Sequence, residues 1–177
     1  MTKVLENSSY KWIITIASFV IMAIVTGVIT NVFSIFTIPI TEDLNIKRQS
    51  FSLAQTLIFA ANILVTPFAA GLIDRFGLIR LMRLFSIVTP LIYFGYVAAT
   101  EISHIYVLSF LLGTAQCFLT QIPLSILLNK WFSNNLGIAI GIAFMGSGIG
   151  GMVFNPVANN IIEIYNWRTA FGFLGVV

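Results

Sequence analysis

Charge is what this chain has least of. Only 8% of its 177 residues are Asp, Glu, Lys or Arg, against roughly a quarter in an ordinary soluble domain. Hydrophobic residues make up 58%, more than a soluble chain of this length can bury, so its solvent is lipid. One cysteine, Cys117, and one histidine, His104, leave no internal disulfide and no cluster with zinc-ligand spacing. Cys117 lies in an apolar run and reads as a small buried hydrophobe, and His104 lies in a short polar break and reads as a loop residue. The net charge of +3 does not point to nucleic acid, because the basic residues sit at the ends of apolar runs rather than on one face. No nucleophile–base pair or carboxylate pair stands out, so neither enzymatic chemistry nor a cofactor or metal is expected. No Asp, Glu, Lys or Arg falls deep inside an apolar run. These residues therefore offer no intramembrane proton carrier and no fixed midplane charge for an ionic substrate.

Long apolar runs are what the chain has instead. They fall near residues 12–38, 51–73, 82–100, 105–128 and 137–162, each long enough for the roughly 20 residues of a membrane-spanning helix. They must be helical, because backbone groups find no water in hydrocarbon, and they lack the alternation of a β-barrel. The first run is too long for a signal peptide and has no small-residue cleavage site after it. Breaks fall at 41–50, 74–80, 101–104, 129–135 and 163–168, and a sixth span begins at Thr169 and stops nine residues later. One side of this topology holds Lys3, Lys11, Arg75, Arg80, Arg83 and Lys130, and the other holds Lys47, Arg48 and Arg168. The basic excess puts the first side, with the N-terminus, in the cytoplasm of a plasma (inner) membrane. Trp12, Trp131 and Trp167 all fall at span ends, where indole rings anchor at the interface.

Two stretches carry most of the information. The connection at 70–83 packs Asp74, Arg75, Arg80 and Arg83 around Gly77, so its flanking helices are antiparallel neighbours. The stretch 137–151 is rich in glycine. Gly137 and Gly141 form a Gly-x-x-x-Gly pair that lets helices approach closely in lipid. Gly146, Gly148, Gly150 and Gly151 follow without the preceding strand or the later lysine of a phosphate loop. Gly148, Gly151, Asn155 and Asn159 recur every three or four residues, a face first smooth and then polar.

Thr26, Thr30 and Ser34 step by four in span one, and with the other serines and threonines they read as interhelical glue. The amides Asn31, Gln55, Asn62, Gln116, Gln121 and Asn155 cost more to bury. They serve either as the same glue or as the lining of a substrate path. Pro39, Pro67, Pro90, Pro123 and Pro156 each fall in or at the end of a different span and each removes one helical hydrogen bond. Kinks of that kind suit a bundle curved around a cavity, and irregular packing equally.

Gly71 and the run Asp74-Arg75-Phe76-Gly77 with Arg80 resemble the loop between helices two and three of the major facilitator superfamily. The run Gly-Ser-Gly-Ile-Gly-Gly at 146–151, then Pro156 and Asn166-Trp167-Arg168, is similar to the superfamily's oxalate–formate antiporter and monocarboxylate transporter branch. Gly113 and Pro123 fit the same branch. Departures are Ala70 in place of the loop's first glycine, Leu78 and Ile79 in place of its basic pair, and Leu136 in place of an arginine. Ser109 stands where many proton-coupled members carry an arginine. The resemblance implies an all-α membrane protein, the N-terminal six-helix half of a twelve-helix fold. Five complete transmembrane helices and the start of a sixth fill residues 1–177, and the C-terminal half is absent. It implies a secondary active transporter that works by alternating access on a small solute, a monocarboxylate or related organic anion. Asp74 and Arg75 would then latch against the second half. The implied partners are the lipid bilayer, the solute and the C-terminal half of the same protein, with no nucleic acid. The alternative is a non-transporting membrane partner or sensor derived from a transporter half.

Overall fold

The structure, a computed structural model, describes residues 8–176, with side chains from Tyr10 onward. The expectations placed on Lys3 and Val177 lie outside the described residues. Five helices are long and apolar enough to cross a membrane: Tyr10–Asp43 (α1), Arg48–Phe76 (α2), Leu78–Val97 (α3), Ile102–Trp131 (α4) and Leu136–Ile164 (α5). A sixth, Trp167–Val176 (α6), follows them, and no strand occurs among the described residues.

The helices outrun their apolar segments. The break expected at 74–80 shrinks to a single residue, Gly77, with φ at +88°. Glycine takes that conformation at no steric cost, and the chain reverses there while the Gly77 N–H still donates to the Ile73 carbonyl at 2.8 Å. Asp74 and Arg75 thus sit in the last turn of α2, and Arg80 and Arg83 in the first turns of α3. The break at 41–50 narrows to 44–47, where Asn45 takes a positive φ of 50°, as asparagine does more readily than most residues. At the start of α6, the Asn166 Oδ1 accepts from the Thr169 N–H at 2.8 Å and from its hydroxyl at 3.0 Å. That side-chain cap starts the helix at Trp167 rather than at Thr169.

Two helices are irregular. After Ser8–Ile21, α1 widens to i→i+5 hydrogen bonding over Met22–Val32, tightens over Phe33–Phe36 and resumes as α-helix over Thr37–Asp43. Helix α4 is interrupted at Thr120, with φ −113° and ψ −115°. Pro123 accounts for that position, since it has no N–H for the Leu119 carbonyl and its ring crowds that group. Pro67, Pro90 and Pro156 lie within continuous helices.

Apolar side chains gain little by leaving lipid for a protein interior, so close helix contact depends on small residues. Helix α5 lies along the middle of α1 in this way. A Cβ at Gly146 would run into the Phe19 carbonyl, and one at Gly150 into the Ala23 carbonyl. From the other side, a Cβ at Gly27 would stand 2.8 Å from the Gly150 Cα. Gly113 does the same for α4 against the Ile58 carbonyl of α2. The close seam on α5 therefore runs through Gly146 and Gly150, not through Gly137 and Gly141. At those two positions, and at Gly148, a Cβ would meet nothing within 4 Å.

Aromatic rings dock the ends. Phe171 of α6 stacks on Phe36 at 4.0 Å and on Tyr96 at 4.6 Å, tying α6 to α1 and α3. At the opposite end Tyr10 meets Trp131 at 5.0 Å and Trp12 meets Phe132 at 5.5 Å. The start of α1 and the end of α4 thus share one end of the bundle, as the alternation of spans requires.

Because the α1–α5 seam is backbone against backbone, Gly150→Val should destabilise the protein by about 1–3 kcal/mol, as overpacking does. Gly141→Ala should change stability by less than about 0.5 kcal/mol. Thermal unfolding in mild detergent checks both, and equal effects would contradict the seam.

Candidate functional site

The widened segment of α1 carries Thr30 and Asn31 into the region where α1 meets α4 and α5. Asn31 Nδ2 donates to the Ser147 carbonyl of α5 at 2.8 Å, and Gln116 Nε2 of α4 donates to the Thr30 hydroxyl at 3.0 Å. Two amides from different helices thereby join three spans. Asn31 reaches Ser147 only because Gly151 is bare, since a Cβ there would stand 2.8 Å from its Nδ2. One turn further along α5, the Asn155 Oδ1 is buried and has no hydrogen-bond partner among the described residues. Leaving such an acceptor unmet costs about 1–3 kcal/mol.

Of the six amides, the structure places Asn31 and Gln116 in this junction and Asn155 one turn along α5 from Gly151, which Asn31 covers. Gln55 and Asn62 lie half-buried on α2, and Gln121 is exposed beside the Thr120 interruption. Thr30 and Ser147 belong to the junction and were not singled out as site residues, although the four-residue step of Thr30 already set it on a polar stripe.

The hydroxyls behave differently from expectation. Most of them bond to their own helix: Thr66 to the Asn62 carbonyl at 2.7 Å, Thr120 to Gln116 at 2.9 Å and Thr89 to Phe85 at 2.8 Å. A short hydroxyl satisfies itself on the carbonyl one turn back, which leaves the longer amides to bridge helices. Exceptions are Thr30, whose hydroxyl accepts from Gln116, and Ser109, whose Oγ lies 2.8 Å from the Tyr96 hydroxyl, while Thr66 adds to its own-helix bond a contact of 3.7 Å with the buried Cys117 Sγ.

A second polar centre ties three helix ends together. Asp43 Oδ2 accepts from Arg168 Nη1 at 2.6 Å and from Trp167 Nε1 at 3.1 Å. Arg168 Nη2 also donates to the Ala99 carbonyl at 3.3 Å, and its guanidinium lies 4.1 Å from the Trp167 ring centre. Asp43 and Arg168 close α1 onto α6 and the end of α3. The sequence held a signal for this, an acid ending span one and an arginine beginning span six on the same side.

The α2–α3 turn forms the third centre. Gly71, Asp74, Arg75, Gly77 and Arg80 are all exposed. All but Gly71 line a shallow basin of about 560 Å³ with Lys130. Asp74 makes no ion pair among the described residues, although Arg75, Arg80 and Lys130 line the same basin. No grouping of three or more His, Cys, Asp or Glu able to hold a metal occurs among the described residues.

A family model described as Major Facilitator Superfamily matches residues 14–177. The chain belongs to the Major Facilitator Superfamily. Its five spans and the start of a sixth are the N-terminal half of the superfamily fold. The chain is 30% identical to the riboflavin transporter RibJ of Trypanosoma brucei brucei over 165 residues, 88% of this chain and 29% of that protein. It is 24% identical to monocarboxylate transporter 13 of Bos taurus over 164 residues, 93% of this chain and 38% of that protein. A shorter match, 40% identical over 80 residues, relates 44% of the chain to 16% of monocarboxylate transporter 12 of Mus musculus. The chain thus spans 29% to 38% of the length of these two transporters, which it matches along most of its own length. As a superfamily member it is a multi-pass membrane protein.

The Asp43–Arg168 pair is partly exposed, at 43% and 32%, so water and salt weaken it. A double-mutant cycle with Asp43→Asn and Arg168→Gln should give a coupling of about 0.5 kcal/mol, typical of exposed pairs. The coupling should shrink at high salt when followed by thermal unfolding.

Proposed function

We propose that these residues are the N-terminal half of a secondary active transporter that moves a small solute by alternating access. The solute in this reading is a monocarboxylate or a related organic anion. The observation that carries it is the amide junction of Asn31, Gln116 and Asn155, set where three spans meet in a superfamily member. It supplies hydrogen-bond donors and an unmet acceptor without charge, which is suited to orienting a small polar solute. Relatives named as riboflavin and monocarboxylate transporters support the class of activity.

The described spans hold no deep basic residue, so the positive charge that an anion needs comes from the C-terminal half in this reading. The two halves rock about the solute. Asp74 and Arg75, exposed at the α2–α3 turn, latch the cytoplasmic face against that half. The N-terminus is cytoplasmic and the membrane is the plasma (inner) membrane. Gln55, Asn62 and Gln121 border the path rather than hold the solute.

Uptake of radiolabelled monocarboxylates into proteoliposomes tests this in the full-length protein. Gln116→Ala should lower kcat/KM about tenfold, the worth of one lost hydrogen bond of about 1.4 kcal/mol. Asp74→Asn should slow turnover while leaving membrane insertion intact. Unchanged uptake in both variants would remove the path and the latch together.

A further inference from the structure

Beyond the amide junction, α1 carries two hydroxyls in line. Ser34 and Thr37 stand three residues apart across the tightened turn Phe33–Phe36. Three residues per turn set one above the other, about 6 Å apart along the axis. Ser34 is exposed and Thr37 half-buried. Both protons are spent on the helix itself: Ser34 Oγ donates to the Asn31 carbonyl at 3.3 Å, and Thr37 Oγ1 donates to the Ser34 carbonyl at 2.7 Å. What the two hydroxyls have left to offer is lone pairs.

Helix α5 runs beside α1 in the same direction, since Phe19 and Ala23 meet Gly146 and Gly150 in that order. Past Gly151 it carries Asn155, Asn159 and Glu163 at four-residue steps. Asn159 Nδ2 donates to Glu163 Oε1 at 2.6 Å. Glu163 makes no ion pair among the described residues, and an ionised carboxylate only accepts. Two adjacent helices thus carry polar files from the junction toward the Asp43–Arg168 end, with the oxygens of Ser34, Thr37 and Glu163 as acceptors. A solute carboxylate finds no donor in the two hydroxyls and is repelled by Glu163, whereas a solute hydroxyl finds acceptors on both helices. We infer that Ser34 and Thr37 read hydroxyl groups on the solute, which makes the transported class an organic anion with hydroxyls along its chain, a sugar acid rather than an unsubstituted monocarboxylate. The inference rests on the transporter reading and deepens it: the hydroxylated side of the solute faces these residues, and its carboxylate faces the C-terminal half.

Competition for uptake into proteoliposomes of the full-length protein tests it. Unlabelled gluconate and hexanoate, six-carbon acids with and without hydroxyls, each compete against a radiolabelled monocarboxylate. Gluconate should compete at a concentration about tenfold lower, the worth of one hydrogen bond. In a variant combining Ser34→Ala with Thr37→Val, the two acids should fall within about twofold of each other. Damage to folding alone would lower uptake without moving their ratio. Ser34→Thr, which keeps the hydroxyl, should keep the preference. Equal or stronger competition by hexanoate in the unsubstituted protein, or a preference that survives the loss of both hydroxyls, would overturn the inference while the transporter reading stands. Absence of any labelled uptake would overturn the transporter reading and this inference with it.

Discussion

The contact on which the rest depends is the backbone-to-backbone approach of α1 and α5. In lipid no hydrophobic force gathers helices, so where they touch is decided by where their surfaces are bare. Gly27 on one side and Gly146 and Gly150 on the other let the carbonyls of Phe19 and Ala23 lie directly over the facing helix. Contacts of this kind are where Cα–H···O bonds recur between helices. Any side chain larger than hydrogen at Gly146 or Gly150 would force the two helices apart.

That approach has a chemical consequence. Only with α5 so near can Asn31 lie over Gly151 and reach the Ser147 carbonyl. The widened hydrogen bonding of α1 over Met22–Val32 spans the same region, and such widened segments are frequent at functional sites. Helix α4 joins by its own bare position, Gly113, and delivers Gln116 to Thr30 four residues before its interruption. The polar junction is thus a product of close packing, and in it Asn31 and Gln116 bridge helices. Away from the junction, the Asp43, Trp167 and Arg168 centre and the Phe171 stack hold α6 to α1 and α3.

Much of the fold was legible, because a bilayer leaves a chain few options. Every apolar run became a helix, and the helix ends differ from the runs for one reason. Charged and polar residues mark where water begins, yet a helix continues into water when long side chains can reach it. Asp74, Arg75, Arg80 and Arg83 accordingly sit on helices, and the turn is Gly77 alone. The close seam was not legible, since Gly137-x-x-x-Gly141 and Gly146-x-x-x-Gly150 are the same pattern and only the position of α1 chooses between them. Nor was the division of labour between hydroxyls and amides. Sequence shows that both are polar, but whether a group bonds its own carbonyls or another helix depends on side-chain reach.

The central claim is that the Asn31, Gln116 and Asn155 junction lies on a water-accessible solute path. The most direct measurement is the reaction of Asn155→Cys, in a Cys117→Ser background of the full-length protein, with a charged, membrane-impermeant thiol reagent. The account predicts that the new thiol reacts from the aqueous phase and that a transported solute slows the reaction. A thiol that stays unreactive from both sides of the membrane, while remaining open to an apolar reagent, would mean that the junction is dry packing and not a path.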